Sequence, residues 1–303
     1  MGGIGLVFAG GGGKGAYQVG VWQALRDCGL ESSVTAVSGT SIGALNGAFF
    51  VQGDLERAKD AWFAIAPEKL VAPGRASGSR MARDALFDAL FTSMRGGMSS
   101  LRGTVDRNEL PGALLKSLAA LMAGQGFSIS MEGLSGIIDG AIDPWRVSGS
   151  PVSLFACASR LLPPGPEYFL CNSRPSVLKD ILLASAAIME PARYVDGIPY
   201  LDGGLFDNAP AGPLYEMGIS DMVAVHLSPD AFLDRSRFPR ARILEIRPGN
   251  SLGGFLGGTL DFSAGGARWR YRQGYEDGFR VLAPVAGISG GEGTGGAIPS
   301  LPG

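Results

Sequence analysis

Histidine is nearly absent from this chain: His226 is the only one among 303 residues. Cysteine is scarce too, and Cys28, Cys157 and Cys171 form no CxxC pair and no Cys/His cluster. No structural zinc site can be composed from that set, and three scattered thiols point to a reducing, cytoplasmic setting. No metal or other cofactor is expected. There is no excess of positive charge, with 26 Lys plus Arg against 28 Asp plus Glu and a net charge of −2. A dedicated nucleic-acid binder would carry a basic surplus, so nucleic acid is excluded as a partner. Charged residues make up only 18%, below the usual level of about 25%, while hydrophobic residues reach 46%, which excludes disorder as the dominant state. No apolar run reaches 18 residues, so no segment reads as a bilayer span. The start, Met1 to Leu6, lacks the basic residues of a secretion signal. Leu6 stands where a myristoylation motif needs Ser or Thr. Any work on membranes is then expected from their surface, as peripheral contact.

Glycine is what the chain has in excess: 48 residues, roughly twice the usual share of about 7%. No repeat organises them, so collagen and linker readings fail. They mark places where the backbone turns or approaches something closely.

The order of elements reads as α/β. Ile4–Ala9 is a short apolar strand ending in glycines, and residues 15–28 follow as a helix stopped by Gly29. Val34–Val37 is a second strand, and an apolar helix runs from Ser41 to about Gln52. Asp54 caps another helix through Ile65. Strand, helix, strand, helix in succession predicts a parallel sheet covered by helices. Residues 67–150 interrupt this with Gly/Ser clusters between helical patches at 81–92 and 108–123, and read as a helical insertion. The pattern resumes with a strand at Val152–Ala158. A turn at Pro163-Pro164-Gly165-Pro166 leads into an antiparallel strand, Tyr168–Cys171. A helix at Val177–Met189, a short strand at Tyr200-Leu201, buried strands at Met222–Leu227 and Ile243–Ile246, and a last helix over 265–282 complete the expectation. Residues 1–285 thus read as a single catalytic domain, and 286–303 as a flexible Gly/Pro-rich tail.

Three motifs carry chemistry. Gly10-Gly11-Gly12-Gly13-Lys14-Gly15 joins a strand to a helix, where backbone N–H groups can meet an anion. The second strand ends in Val37-Ser38-Gly39-Thr40 without the acid a dinucleotide site needs, and Gly15 follows Lys14 where a phosphate loop needs Ser or Thr. Gly39-Thr40-Ser41-Ile42-Gly43 is a G-x-S-x-G at a strand–helix junction, the setting of a nucleophile elbow with Ser41 as nucleophile. Asp202-Gly203-Gly204 exposes a carboxylate at a turn, where it can serve a serine as base. His226, inside the apolar run MVAVHL, is the other candidate base, in a Ser-His-Asp arrangement. A non-enzymatic protein binding a nucleotide or acyl anion on the glycine loop is the third reading.

Taken in order, G-G-G-x-K-G, G-x-S-x-G and D-G-G resemble the patatin-like phospholipase family. Asp207-Asn208-Ala209-Pro210 and Ala184-Ser185-Ala186-Ala187 extend the likeness, which covers residues 4–65 and about 150–283. The resemblance implies a three-layer α/β/α sandwich with a mostly parallel sheet. It implies a Ser41–Asp202 dyad that cleaves fatty acyl esters of lipids through an acyl-enzyme, as a phospholipase A or lysophospholipase. It also implies oxyanion donors in the backbone of Gly10, Gly11, Gly12 and Gly13, with Lys14 bracing the loop. Lipid or membrane is the implied partner, and an activating ligand or protein is compatible with the family. Ala9 departs from the Asp or Ser found in many members, a change expected to touch loop bracing. Separately, Arg235, Arg237, Arg240 and Arg242 crowd a segment containing Phe232, Leu233 and Phe238. That composition suits an anionic lipid surface, or else a solvated loop paired with Asp230 and Asp234.

Overall fold

A computed structural model describes residues 3–65, 71–72, 128–129, 131–187 and 192–288. The helical patches expected at 81–92 and 108–123, and the tail from residue 289, lie outside the described residues.

The sheet runs in the order β10-β9-β1-β2-β5-β8-β7, with β6 paired to β5. Its strands are β1 (Ile4–Phe8), β2 (Val34–Thr40), β5 (Ser153–Leu161), β6 (Pro164–Leu170), β7 (Arg193–Val195), β8 (Ile198–Asp202), β9 (Asp221–Val225) and β10 (Arg242–Ile246). A small pair, β3 (Val71–Ala72) and β4 (Ser128–Ile129), stands apart. β10, β9, β1, β2 and β5 are mutually parallel; β6 and β8 pair antiparallel with β5, and β7 pairs antiparallel with β8. The parallel strands are buried on both faces. Along β1, Leu6 and Phe8 face one core while Val7 faces the other, and β9 alternates in the same way.

The larger core packs beneath α1 (Ala16–Asp27), α2 (Ile42–Val51), α3 (Leu55–Phe63), α4 (Met131–Ala141), α6 (Leu178–Ser185) and α8 (Ala264–Val285). All ten residues of α2 are buried, as suits a helix apolar on every side. α1 and α8 cross so closely that a Cβ at Gly20 would sit 2.0 Å from the Tyr271 carbonyl oxygen, and one at Gly274 1.9 Å from that of Tyr17. The second face carries a thinner layer: α7 (Gly212–Glu216) and the segment leading to β10, with Leu233 and Phe238 turned inward. The three-layer arrangement expected from the sequence is therefore present, with unequal outer layers.

Some boundaries move. α5 (Pro144–Ser148), capped by the Asp143 side chain, and α4 are helices within the span read as an insertion. The β5–β6 turn is tighter than expected, since Pro164 already belongs to β6; two prolines fit there because β6 is an edge strand. β7 was not anticipated, although Asp196 and Gly197, both at positive φ, form the hairpin turn that a D-G dipeptide signals.

Candidate active site

β5 brings the distant motifs together. β6 runs along one edge of β5 from Phe155 to Leu161, so β2 and β8 must share the other edge. On that edge Thr40, the last residue of β2, pairs with Cys157, and the next rung pairs Ala158 with Asp202, the last residue of β8. Ser41 and Asp202 therefore emerge on adjacent rungs of one ladder.

The turn at Ser41 is a strained one. Its φ of 56° and ψ of −124° make it one of two non-glycine residues at positive φ among the described residues. The glycines of the elbow permit this turn. A Cβ at Gly39 would meet the Gly43 carbonyl oxygen at 2.3 Å, and one at Gly43 would meet that of Phe8 at 2.3 Å. Gly203 is required likewise, its Cβ falling 2.3 Å from the Cys157 carbonyl oxygen, and Gly204 is wedged between Asn208 and Asp202. The Ser41 N–H donates to Ser185 Oγ at 2.8 Å, and the Ser185 hydroxyl donates to the Cys157 carbonyl at 2.6 Å. The Asp202 N–H donates to the Ala187 carbonyl at 3.2 Å, and Ser159 Oγ donates to the Asp202 carbonyl at 2.8 Å. One short segment at the end of α6 thus holds the backbone of both residues.

Asp202 is buried, and its environment is asymmetric. Oδ1 accepts the Gly204 N–H at 2.8 Å, whereas Oδ2 has no hydrogen-bond partner. Burial pushes the carboxyl up to about 6, against the opposing pull of the Ser41 hydroxyl and the Gly204 N–H. The Ser41 hydroxyl thus lies near enough to favour the ionised carboxyl, without meeting the geometry of a hydrogen bond to Oδ2. Cys157 offers no competing nucleophile, because full burial pushes its thiol well up.

The glycine loop lies beside this pair. Gly10, Gly11, Gly12, Lys14, Ser41 and Asp202 line one cavity of about 810 Å³, together with apolar Leu45, Phe49, Trp62, Leu134, Ile137 and Phe262. Gly13 packs against the Asp261 backbone and Gly15 against the Trp62 ring. The expected donor set changes in one respect: the Gly10 N–H already donates to the Asn208 carbonyl at 3.0 Å. Among the described residues the N–H groups of Gly11, Gly12 and Gly13 make no such bond. Gln18, Asn46 and Trp62 brace the loop from below. Gln18 donates to the Ala9 carbonyl at 2.7 Å, Asn46 to the Gly15 carbonyl at 2.9 Å, and Trp62 to Asn46 Oδ1 at 2.9 Å. Nothing local in the sequence marks Gln18 or Asn46 for this task, Trp62 reads there only as a core residue, and Ser185 stands only within the resemblance.

His226 is not within a strand: β9 ends at Val225, and His226 follows at the cavity wall. Its Nε2 lies 3.0 Å from Glu245 Oε2, and both side chains are buried. Burial opposes the ionised Glu245, but the Leu233 N–H, Arg235 and His226 outweigh it and hold the carboxyl below its usual range. The arginine cluster is tied down as well. Arg235 pairs with Glu245 at 3.0 Å, Arg242 with Asp221 at 2.5 Å, Arg237 lies 4.0 Å from Asp207, and Arg240 lies beside the Tyr215 hydroxyl. Of the two acids expected from proximity in the chain, Asp234 lies in the field of Arg237, but the direct ion pairs are made with acids from other elements. With Leu233 and Phe238 buried, Phe232 alone of the three apolar residues stays exposed. A row of free cations over apolar groups is therefore not what this segment presents. Among the described residues no cluster of His, Cys, Asp and Glu could hold a metal ion, and no helix is long and apolar enough to cross a membrane.

The profile of the family described as Patatin-like phospholipase matches residues 6–215. Fold and family match together define a hydrolase acting on ester bonds, with lipid acyl esters as its substrate class. The chain belongs to the patatin-like phospholipase family. Among solved structures, VipD from Legionella pneumophila is similar at 17% identity with a TM-score of 0.54, over 94% of this chain and 67% of that one. That likeness supports the fold alone. The type III effector protein ExoU aligns at 20% identity over 94% of this chain and 54% of its own length, with a TM-score of 0.40 too low to add weight. The chain thus spans about two thirds of the first and about half of the second. No curated protein sequence matches significantly.

Proposed function

We propose that the protein hydrolyses fatty acyl esters of phospholipids or lysophospholipids through a Ser41–Asp202 dyad. The carrying observation is the adjacency of Thr40 and Asp202 along β5, which sets a buried carboxylate with an unpartnered Oδ2 beside a strained serine. Ionised Asp202 takes the Ser41 proton as Oγ attacks the ester carbonyl carbon. The N–H groups of Gly11, Gly12 and Gly13 receive the oxyanion, and such donors are each worth about 10²–10³ in rate. The tetrahedral species collapses to acyl-Ser41, and Asp202 returns the proton to the leaving alcohol. Water activated by the same carboxylate then releases the fatty acid. The apolar wall of the cavity supports an acyl chain as the group transferred. We also propose residues 1–285 as one catalytic domain that meets the lipid as a peripheral protein.

Asp202 is preferred to His226 as the base because the Ser41 hydroxyl lies beside its carboxyl and the two residues emerge on adjacent rungs of β5. Lipid mass spectrometry after incubation of phospholipid vesicles with wild type, Ser41→Ala, Asp202→Ala and His226→Asn tests the reading. Fatty acid release by wild type and His226→Asn alone is expected; release by Asp202→Ala at the wild-type rate would remove the dyad.

A further inference from the structure

The glycine loop has almost no side chains with which to hold its own shape. Its seat is a segment outside the family-matched residues, Ser251 to Asp261. A Cβ at Gly12 would sit 2.3 Å from the Thr259 carbonyl oxygen, and one at Gly13 would sit 2.2 Å from that of Asp261, so the two backbones lie in direct contact. The Lys14 stem crosses Gly258.

What fixes this seat is Arg270, on α8. It is only 2% exposed, rare for a cation, and its hydrogen bonds point into this junction. Nε donates to the Leu252 carbonyl at 3.2 Å. Nη1 donates to the Asp261 carbonyl at 2.8 Å and to the Gly13 carbonyl at 3.3 Å. Nη2 donates to the Gly257 carbonyl at 2.9 Å and to Asp261 Oδ2 at 2.7 Å. The planar fork of a guanidinium can serve several carbonyls at fixed angles at once, which an ammonium cannot. A cation is costly to bury, and here its single carboxylate partner is joined by four backbone carbonyls from the glycine loop and its seat.

We propose that Arg270 is a positioning residue for ester hydrolysis: by locking Gly13 onto the Gly257–Asp261 turn, it sets the direction of the Gly11–Gly13 N–H groups. The inference rests on the reading of those groups as oxyanion donors. Donor alignment matters only as charge develops, so its loss lowers kcat and leaves KM nearly unchanged.

The test compares wild type with Arg270→Gln, Arg270→Lys and Asp261→Asn on a nitrophenyl ester, with kcat expressed per site titrated by a fluorophosphonate. Inhibition by a trifluoromethyl ketone, which forms a tetrahedral oxyanion on an active serine, is measured alongside. Arg270→Gln is expected to lose about 10²-fold in kcat with KM within about twofold, as for a small misplacement of catalytic groups. Ketone affinity should fall in parallel, and Arg270→Lys should recover part of both. A residue that only holds the fold would change the number of titrated sites and leave kcat per site intact, which would overturn the proposal. If Arg270→Gln does not fold, Asp261→Asn decides, because it keeps the guanidinium and removes its charged partner. A kcat about tenfold lower is then expected, and an unchanged kcat overturns the inference. A wild type that neither labels nor hydrolyses would overturn the dyad reading as well, whereas active wild type with equally active variants removes only the role of Arg270.

Discussion

Asp202→Asn separates what the fold prefers from what the chemistry needs. The carboxyl of Asp202 is raised from 3.8 to about 6 by burial, a difference of about two units. At about 1.4 kcal/mol per unit, the folded state gives up about 3 kcal/mol to keep this group ionised. A raised carboxyl makes the folded protein bind more protons than the unfolded chain between about pH 4 and pH 6. The contribution of this group is therefore most favourable below pH 4, is lost as pH rises through 6, and stays lost above it. Asparagine preserves the shape: its Oδ1 still accepts the Gly204 N–H, and its Nδ2 takes the place of an oxygen that has no partner. The variant should match wild type in stability near pH 4 and exceed it by up to about 3 kcal/mol at pH 8, while losing about 10²–10⁴-fold in kcat. Urea unfolding of both proteins across pH 4 to 8 measures the difference, in which all other titrating groups cancel. In wild type, kcat/KM should rise with pH through an apparent pKa of about 6. A stability gap independent of pH, or a variant less stable than wild type at pH 8, would refute the burial argument.

Ser185→Ala removes the acceptor for the Ser41 N–H and the donor to the Cys157 carbonyl. It should cost about 1–3 kcal/mol in thermal or urea unfolding and lower kcat for a nitrophenyl ester. Gly43→Ala drives a methyl group against the Phe8 carbonyl and should cost about 3 kcal/mol or more, read as poor folding by circular dichroism. His226→Asn should retain the larger part of ester hydrolysis while losing stability, because Glu245 then keeps one fewer buried partner; hydrolysis as low as in Ser41→Ala would return the histidine to the mechanism.

Much of this molecule follows from local rules that a chain carries residue by residue. Short continuous apolar runs mark β1, β2 and β9, strands buried on both faces. Glycine at positions 39 and 43 and at 203 and 204 marks turns where a Cβ would strike backbone, and the glycine run after β1 marks unpaired N–H groups. These are steric facts of short segments, so the strand order up to α2, the elbow and the resemblance to a family were legible. Register between distant strands is not local. Only the shared edge of β5 puts Asp202 on the rung after Thr40, and only the folded chain brings the Asn208 carbonyl to the Gly10 N–H. Arginines 235, 237, 240 and 242 read as a patch because composition shows charges without their partners; Glu245, Asp207, Asp221 and Tyr215 arrive from other elements. Arg270 was silent for the same reason. A buried cation looks in sequence like any surface residue of a helix, and its role exists only where Gly13 and Asp261 meet it.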